Sequence, residues 1–320
     1  MKGFYKGDGG QSFVQRALLS AIDLIPLKTR IWLLEGLGQL LFMIDGQHRR
    51  IAARNLALAF GKKTEKERTG IARSVFRNLG RVTAEFSFIP LLNEENVRRY
   101  VFFEGAENFH RAHEKGKGVL FLTAHFGNWE WMAAAFPLFF RCPCHVIVRP
   151  LDNRFFDRIV EKLRTCTGNR TVPKEKSMGR ILRLLKEGEV VGVLLDQNVD
   201  WREGVFVNFF GEMACTNAGL ALLALKTGAP VLPVFNIRKT NGRYRVVIEP
   251  EIPLIRTGEK DLDVEKNTEL FTSVIERYVR EYPDLWFWLH QRWKTRPWQA
   301  KRTKGGNTGT LEEWKTGRME

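Results

Sequence analysis

The stretch Gly118-Val-Leu-Phe-Leu-Thr-Ala-His-Phe-Gly-Asn-Trp-Glu130 decides how this chain is expected to fold. Its first six residues form a continuous apolar run, which is typical of a strand that is covered on both faces of a sheet. Gly127 and Asn128 follow, and a helical pattern then extends to about residue 140. Because Asn is a preferred N-cap, the stretch predicts a buried strand, a turn and a helix that begins after Asn128.

The alternation of apolar runs and helical patterns continues toward the C-terminus. Further apolar runs occupy 145–148, 190–195 and 231–237, and helical patterns between them occupy about 153–166, 177–187 and 216–227. Residues 243–248 alternate between polar and apolar side chains and are predicted to form an edge strand. Strands that alternate with helices indicate an α/β fold, here a three-layer sandwich with a largely parallel sheet.

The first hundred residues contain two short apolar segments. Residues 13–22 have apolar side chains at helical spacing, and 31–44 is apolar nearly all round apart from Glu35. Neither reaches the roughly 20 residues that a membrane-spanning helix needs, and the N-terminus lacks the apolar core of a signal peptide. We expect helices that lie in a membrane interface, with packing on the protein core as the alternative.

The chain carries a large excess of positive charge. It has 51 Lys and Arg against 36 Asp and Glu, which leaves a net charge of +15. Such an excess favours nucleic acid, anionic lipid or an acidic carrier protein as partner, and the sequence has no nucleic-acid-binding motif. A helical pattern at about 66–82 places Arg73, Arg77 and Arg81 at four-residue steps. We expect this basic stripe to contact an anionic membrane surface, with a solvated helix face as the alternative.

The cysteines form neither a disulfide framework nor a zinc pattern. Cys142, Cys144 and His145 lie close together in sequence, but no second half-site accompanies them. Few and scattered cysteines are typical of a reducing compartment. The sequence therefore predicts no metal and no other cofactor.

These patterns divide the chain into three parts. Residues 1–100 are predicted to form a helical membrane-associating region, and residues 101–300 the α/β core. The tail at 301–320 is polar and contains glycine, and it is expected to be mobile.

His125 is the strongest candidate for chemistry. It lies at the predicted carboxyl end of a strand, the edge where open α/β sheets place their sites. Glu130 falls in the first turn of the following helix, where helical side chains lean back toward the N-terminus and so toward His125. A His–carboxylate pair can act as a general base on an alcohol. The backbone amides of Gly127 and Asn128 are expected to bind an oxyanion. The alternative is a core histidine beside a surface glutamate.

Several blocks resemble the bacterial lipid A biosynthesis acyltransferases, the lauroyl and myristoyl transferases of the wider group with a His-x4-Asp/Glu motif. The resemblance covers about 13–297. The blocks that carry it are HFGNWE at 125–130, RRIA at 49–52, RNL at 54–56, AF at 59–60, RP at 149–150, DQ at 196–197, VFVNFFG at 205–211, LWFWLH at 285–290 and RWKTRP at 292–297. It implies a sandwich like that of the glycerol-3-phosphate acyltransferases.

The resemblance also implies roles for individual residues. His125 would be the base and Glu130 its partner. Arg149 would stabilise charge on the thioester oxygen or hold an acceptor phosphate, with a surface arginine as the alternative. Asp196 and Gln197 would shape or polarise the site, with a turn or cap residue as the alternative for Asp196.

The implied activity is direct transfer of a fatty acyl group from a thioester to a hydroxyl of a lipid A precursor or related glycolipid. Acyl carrier protein is favoured over coenzyme A as donor. The implied location is the cytoplasmic face of the cell inner membrane, with peripheral or monotopic attachment to an anionic surface.

Two departures and three alternatives accompany this hypothesis. No Phe-Pro-Glu-Gly-Thr-like block occurs, which disfavours a glycerol phosphate acceptor, and the N-terminal spanning helix of many members is missing. The alternatives are transfer to another membrane lipid, a thioesterase that uses the same dyad on water, and a non-catalytic membrane-binding protein.

Overall fold

The structure is a computed structural model, and it describes residues 24–175 and 177–297. The helical pattern predicted at 13–22 and the tail predicted from 301 lie outside these residues. Within the described part of the chain, none of the helices combines the length and the hydropathy that a membrane crossing requires.

In the described part of the chain three helices precede the sheet: α1 (Leu27–Ile44), α2 (Gly46–Ala59) and α3 (Glu65–Phe86). The hydroxyl of Thr64 and the carboxylate of Glu67 form a capping box that fixes the start of α3. Helices α1 and α3 pack closely because glycines lie at their contact. A Cβ on Gly38 would lie 2.3 Å from the Phe76 carbonyl oxygen, so only glycine fits there.

The main sheet has seven strands. The strands of the chain, in sequence order, are β1 (Val101–Glu104), β2 (Val119–Thr123), β3 (Cys144–Val148), β4 (Arg170–Pro173), β5 (Val190–Leu194), β6 (Gly204–Phe209), β7 (Glu212–Asn217), β8 (Val231–Arg238) and β9 (Tyr244–Ile248). The sheet order is β1-β9-β8-β2-β5-β3-β4, and only the β8–β9 pair is antiparallel. The largely parallel α/β sheet predicted from the sequence is confirmed.

Two strand predictions need correction. The strand predicted at 243–248 is not at the edge, because β1 pairs with its outer side and is itself the edge strand. Strands β6 and β7 form a separate antiparallel hairpin that the apolar runs did not reveal. This hairpin also moves the start of the helix predicted at 216–227 to Gly219.

Helices cover both faces of the sheet. They are α4 (Ala106–His113), α5 (Trp129–Phe140), α6 (Arg154–Thr165), α7 (Ser177–Lys186), α8 (Gly219–Thr227) and α9 (Lys260–Glu281). Side chains of the central strand β2 alternate between two core clusters. Leu120 and Leu122 pack in the cluster with α7, α8 and α9, whereas Val119 and Phe121 pack in the cluster with α4 and α5.

The N-terminal helices share this core. Phe42 of α1, Leu56 of α2 and Phe76 of α3 belong to the same buried cluster as Leu120 of the sheet. The three-part division of the chain stays a prediction. The parallel strands β2, β5 and β3 are neighbours, so the residues that follow them meet at one edge of the sheet.

Candidate active site

His125 follows strand β2, and Asp196 follows the neighbouring parallel strand β5. Thr123 pairs with Leu194 in the register of these strands, and two residues further along each strand His125 lies opposite Asp196. The His125 amide donates to Asp196 Oδ2 at 3.0 Å, and His125 Nδ1 lies 2.9 Å from Asp196 Oδ1. The parallel register thus brings together two residues that are 71 positions apart.

Asp196 is a buried and ionised carboxylate. Its second oxygen also accepts a hydrogen bond from the Trp286 indole at 2.8 Å, and only 3% of the residue is exposed. Burial by itself raises the pKa of Asp196, but the His125 charge and the hydrogen bonds from His125 and Trp286 outweigh burial and lower it. An ionised carboxylate only accepts, so the proton of neutral His125 resides on Nδ1 and the lone pair on Nε2.

Glu130 does not pair with His125 in the structure. Its carboxylate is bound by the guanidinium of Arg164 on α6, with Arg164 Nε 3.0 Å from Oε2 and Nη2 2.5 Å from Oε1. The Trp129 indole donates to the same carboxylate at 3.2 Å. The predicted position in the first turn is confirmed, but an arginine 34 residues away captures the carboxylate that we expected at His125. The sequence spacing contains no signal for that cation.

Aromatic rings enclose His125. The Trp129 ring meets the imidazole edge to face, with ring centroids 5.2 Å apart, and the Phe287 ring lies 6.3 Å away. Glu130 therefore contacts Trp129, and Trp129 contacts His125. Glu130 is thus connected to His125 through Trp129.

Asn128 caps helix α5 as predicted. Its side-chain oxygen accepts from the Trp131 amide at 3.0 Å. The Gly127 amide, by contrast, donates to the Leu285 carbonyl at 2.8 Å, so it is not free to bind an oxyanion. The Asn128 amide has no hydrogen-bond partner among residues 24–175 and 177–297. Because the Trp131 amide is taken by this cap, the available donors at the helix start are the backbone amides of Asn128, Trp129 and Glu130.

A buried polar network fixes the turn between His125 and α5. Gly127 has a φ of +61°, and a Cβ there would lie 1.9 Å from the Asn236 carbonyl oxygen. The Asn236 side chain donates to the Asn128 carbonyl at 2.6 Å. The Asn128 side chain in turn donates to the buried Glu85 carboxylate at 2.7 Å. The turn is held from both the sheet and helix α3.

Gln197 and Arg149 occupy different positions relative to His125. The Gln197 amide nitrogen lies 3.4 Å from His125 Nε2 and 3.5 Å from Nδ1, at the limit of hydrogen bonding. Arg149 follows β3 at the same sheet edge, and its side chain is exposed. The structure thus gathers His125, Asp196 and Gln197, and it leaves Arg149 facing solvent.

The C-terminal segment completes the site in a way that the sequence did not predict. Phe126 and Trp286 form an antiparallel bridge, and the Phe287 amide donates to the His125 carbonyl at 3.0 Å. Arg292 is fully buried and donates to the carbonyl of Cys215 at 2.9 Å, so its role is structural. The sequence marked this segment only through the family resemblance of its blocks at 285–290 and 292–297, which did not place it beside His125.

Cys142, Cys144 and His145, which lie close together in sequence, form ordinary packing contacts around strand β3. Cys144 is buried, and His145 Nε2 lies 3.2 Å from a Glu189 carboxylate oxygen. Among the residues that the structure describes, no group of three or more His, Cys, Asp or Glu side chains is placed to hold a metal ion.

Nearly the whole chain is similar to proteins of one known family. The sequence model of one family, described as bacterial lipid A biosynthesis acyltransferase, matches residues 9–295. The lipid A biosynthesis lauroyltransferase of Escherichia coli is 29% identical over 266 residues, which cover 82% of this chain and 84% of the relative. The palmitoleoyltransferase of the same organism is 29% identical over 250 residues, with 77% and 79% covered. The phosphatidylinositol mannoside acyltransferase of Mycolicibacterium smegmatis is 23% identical over 247 residues, with 75% and 78% covered. The resemblance found in the sequence is confirmed.

Proposed function

Because the chain belongs to the bacterial lipid A biosynthesis acyltransferases and is an acyltransferase, we propose that it acylates a hydroxyl of a lipid A precursor or related glycolipid. His125 is the general base. The observation that carries this proposal is the His125–Asp196 pair, which leaves Nε2 of the imidazole as a proton acceptor. An alcohol needs such a base because it is scarcely ionised at neutral pH.

The reaction proceeds by direct attack. As the acceptor oxygen bonds to the thioester carbonyl carbon, its proton moves to Nε2 of His125, and Asp196 stabilises the imidazolium. The backbone amides of Asn128, Trp129 and Glu130 stabilise the oxyanion. When the carbon–sulfur bond breaks, the imidazolium returns the proton to the leaving thiolate. The products are the acylated glycolipid and the free thiol of the carrier.

The other candidate residues surround this pair. Gln197 positions the imidazole or polarises the thioester. Glu130 acts indirectly, since its carboxylate binds the Trp129 indole, whose ring packs against His125, and also binds the Arg164 guanidinium. Arg149 is free at the sheet edge to meet a phosphate of the donor or acceptor.

Acyl carrier protein is the proposed donor. The carrier is an acidic protein, and this chain has a net charge of +15. A positive field steers an acidic partner toward a site and raises its association rate at low salt. Coenzyme A is also anionic, but its few phosphates need only a local pocket.

The proposed location is the cytoplasmic face of the inner membrane, and helix α1 supports it. Its outer face exposes large apolar side chains: Trp32 is 73% exposed, Met43 60% and Ile44 67%. An exposed apolar helix face beside cationic side chains is typical of attachment in a membrane interface. Arg73 and Arg77 on α3 are exposed as expected. Arg81 is not part of this surface, because it is half buried and bonded to Glu35 at 2.6 Å.

The membrane lipids of a deletion strain test this function. Mass spectrometry should find a glycolipid that lacks one acyl chain, and the wild-type gene should restore it. The His125→Ala gene should not. An unchanged glycolipid with a change in another lipid class would reassign the acceptor, and complementation by His125→Ala would remove His125 from the chemistry.

A further inference from the structure

The orientation of His125 depends on Asp196, and the orientation of Asp196 depends on Trp286. Asp196 Oδ1 faces His125 Nδ1. Asp196 Oδ2 accepts from the His125 amide at 3.0 Å and from the Trp286 indole at 2.8 Å. Trp286 supplies the one side-chain donor to Asp196 other than His125 among the described residues.

The indole of Trp286 is held rigidly. The residue is 1% exposed, and its backbone pairs with Phe126 next to His125. Its ring meets the Trp288 ring edge to face at 4.6 Å and the Phe209 ring at 5.6 Å. A packed aromatic ring of this kind holds its N–H in a fixed direction.

A neutral donor suits this position. Among the described residues, the titratable groups that act electrostatically on Asp196 are His125, His290 and Arg292. A cation bonded to Asp196 would compensate its charge, and less of that charge would stabilise an imidazolium at His125. An indole N–H fixes the carboxylate and adds no net charge.

We propose that Trp286 is a positioning residue of the acyl transfer, which directs His125 by fixing the Asp196 carboxylate. This inference rests on the proposed role of His125 as general base. Loss of the Trp286 indole is expected to lower kcat rather than to weaken substrate binding, because Trp286 is 1% exposed and its N–H bonds to Asp196.

Trp288 provides a matched control. It is also fully buried, and its indole donates to the Pro283 carbonyl at 2.6 Å. Replacement of either tryptophan by Phe removes one buried hydrogen bond of an indole and a similar volume. Only Trp286→Phe removes a bond to Asp196.

The test compares Trp286→Phe and Trp288→Phe in a transfer assay across pH. Trp286→Phe should lower kcat about ten-fold or more, since a hydrogen bond to a charged group is lost, with KM for donor and acceptor nearly unchanged. The acid limb of kcat/KM, where the His125–Asp196 pair takes up a proton, should move to higher pH. Trp288→Phe should leave the limb unmoved. An unmoved limb in Trp286→Phe, or equal movement in both variants, would overturn the proposal.

Two further measurements separate possible failures. If Trp286→Phe does not fold, benzothienylalanine at position 286 keeps the shape of the ring and replaces its N–H by sulfur, and the same results are expected. Carboxyl carbon NMR measures the pKa of Asp196 without any substrate. This pKa should rise when the Trp286 donor is removed. An unchanged Asp196 pKa would also refute the role of Trp286. Failure of the wild-type protein to transfer any acyl group would instead refute the proposed function.

Discussion

At the scale of single residues, the register of two parallel strands determines which carboxylate lies beside His125. The register that pairs Thr123 with Leu194 ends there, and it places His125 and Asp196, each two residues further on, within hydrogen-bonding distance. Glu130, five residues away in sequence, is bound to Arg164 instead. His125 is therefore paired with Asp196, which is distant in sequence, and not with the nearby Glu130.

Asp196→Asn should lower kcat by about 10² to 10⁴-fold. The amide carries no charge to stabilise an imidazolium. Its NH₂ group can also donate to Nδ1 of His125, which would favour the tautomer with the proton on Nε2. The measurement is steady-state transfer by a variant whose circular dichroism matches the wild type. Asp200→Asn, at an exposed aspartate in the loop after β5, is the control and should keep nearly full activity. Wild-type turnover in Asp196→Asn would show that the imidazole needs no carboxylate.

The sequence could locate His125 but not its partner. A histidine after an apolar run and before a capped helix is visible locally, and the structure places it where we expected. The Asp196 interaction depends on which strands are neighbours, and apolar runs do not encode strand order. The Arg164–Glu130 contact joins two helices, and no spacing rule applies to it.

At the scale of elements, the Glu130–Arg164 pair joins the start of α5 to α6. Both side chains are mostly buried, with 11% and 28% exposed. A double-mutant cycle with Glu130→Gln and Arg164→Gln should give a coupling of about 1 to 3 kcal/mol in the free energy of unfolding. Urea denaturation measures it. The exposed pair Arg141–Glu94 is the control and should couple near zero. A coupling near zero for the buried pair would contradict this account.

Glu85 of α3 anchors the other side of the same turn. Its carboxylate accepts from Asn128 at 2.7 Å and from the Tyr244 hydroxyl at 2.6 Å. Burial raises the pKa of Glu85 to about 6, although these hydrogen bonds and the charges of Arg81 and Arg238 oppose the rise. In the folded protein the carboxylate is therefore harder to ionise than in the unfolded chain.

This raised pKa predicts the sign of a pH effect. A folded pKa above the unfolded value means that protonation favours the folded state. The free energy of unfolding of the wild type, relative to Glu85→Gln, should therefore rise by about 2 kcal/mol as the pH falls from 7 to 4.5. Denaturation curves at a series of pH values test it. A difference that is constant with pH would show that Glu85 keeps an ordinary pKa.

Glu85→Ala serves as the companion variant. It should lower the free energy of unfolding at pH 7 more than Glu85→Gln does. It leaves the buried Asn128 side-chain amide and the Tyr244 hydroxyl without their acceptor, which costs about 1 to 3 kcal/mol for each group. Glutamine can still accept from both.

Apolar runs were sufficient to predict the inner strands of the sheet and their helices. The runs at β2, β3, β5 and β8 are continuous because helices cover both faces. The β6–β7 hairpin was not predicted because its polar and apolar residues alternate irregularly, with polar side chains at Asn208 and Thr216. The edge prediction for β9 failed because the short strand β1 has only four residues and gives a weak signal.

At the scale of the whole molecule, charge and apolar surface point in the same direction. Helix α1 presents exposed apolar side chains beside Arg73 and Arg77 of α3. The buried side of the N-terminal helices packs in the same core cluster as the main sheet. A membrane bound at α1 would therefore be fixed relative to His125.

Replacement of Trp32, Met43 and Ile44 together by Ser should weaken binding to anionic vesicles at least ten-fold, because each large apolar side chain gains about 1.5 to 3 kcal/mol when it leaves water. Vesicle sedimentation measures the binding. The control variant should bind like the wild type. It replaces by Ser three apolar residues that are exposed outside α1, namely Leu151, Phe156 and Met213. Equal loss in both variants, or no loss in either, would contradict attachment through α1.

The most direct test of the central claim is acyl transfer by the purified protein. The donor is an acyl carrier protein thioester and the acceptor a lipid A precursor, and both the released thiol and the acylated glycolipid are quantified. We predict that the two products form one for one, that thiol release requires the acceptor, and that His125→Ala lowers both by about 10² to 10⁴-fold. Thiol release without acceptor would indicate a thioesterase. Undiminished transfer by a folded His125→Ala variant would contradict the account.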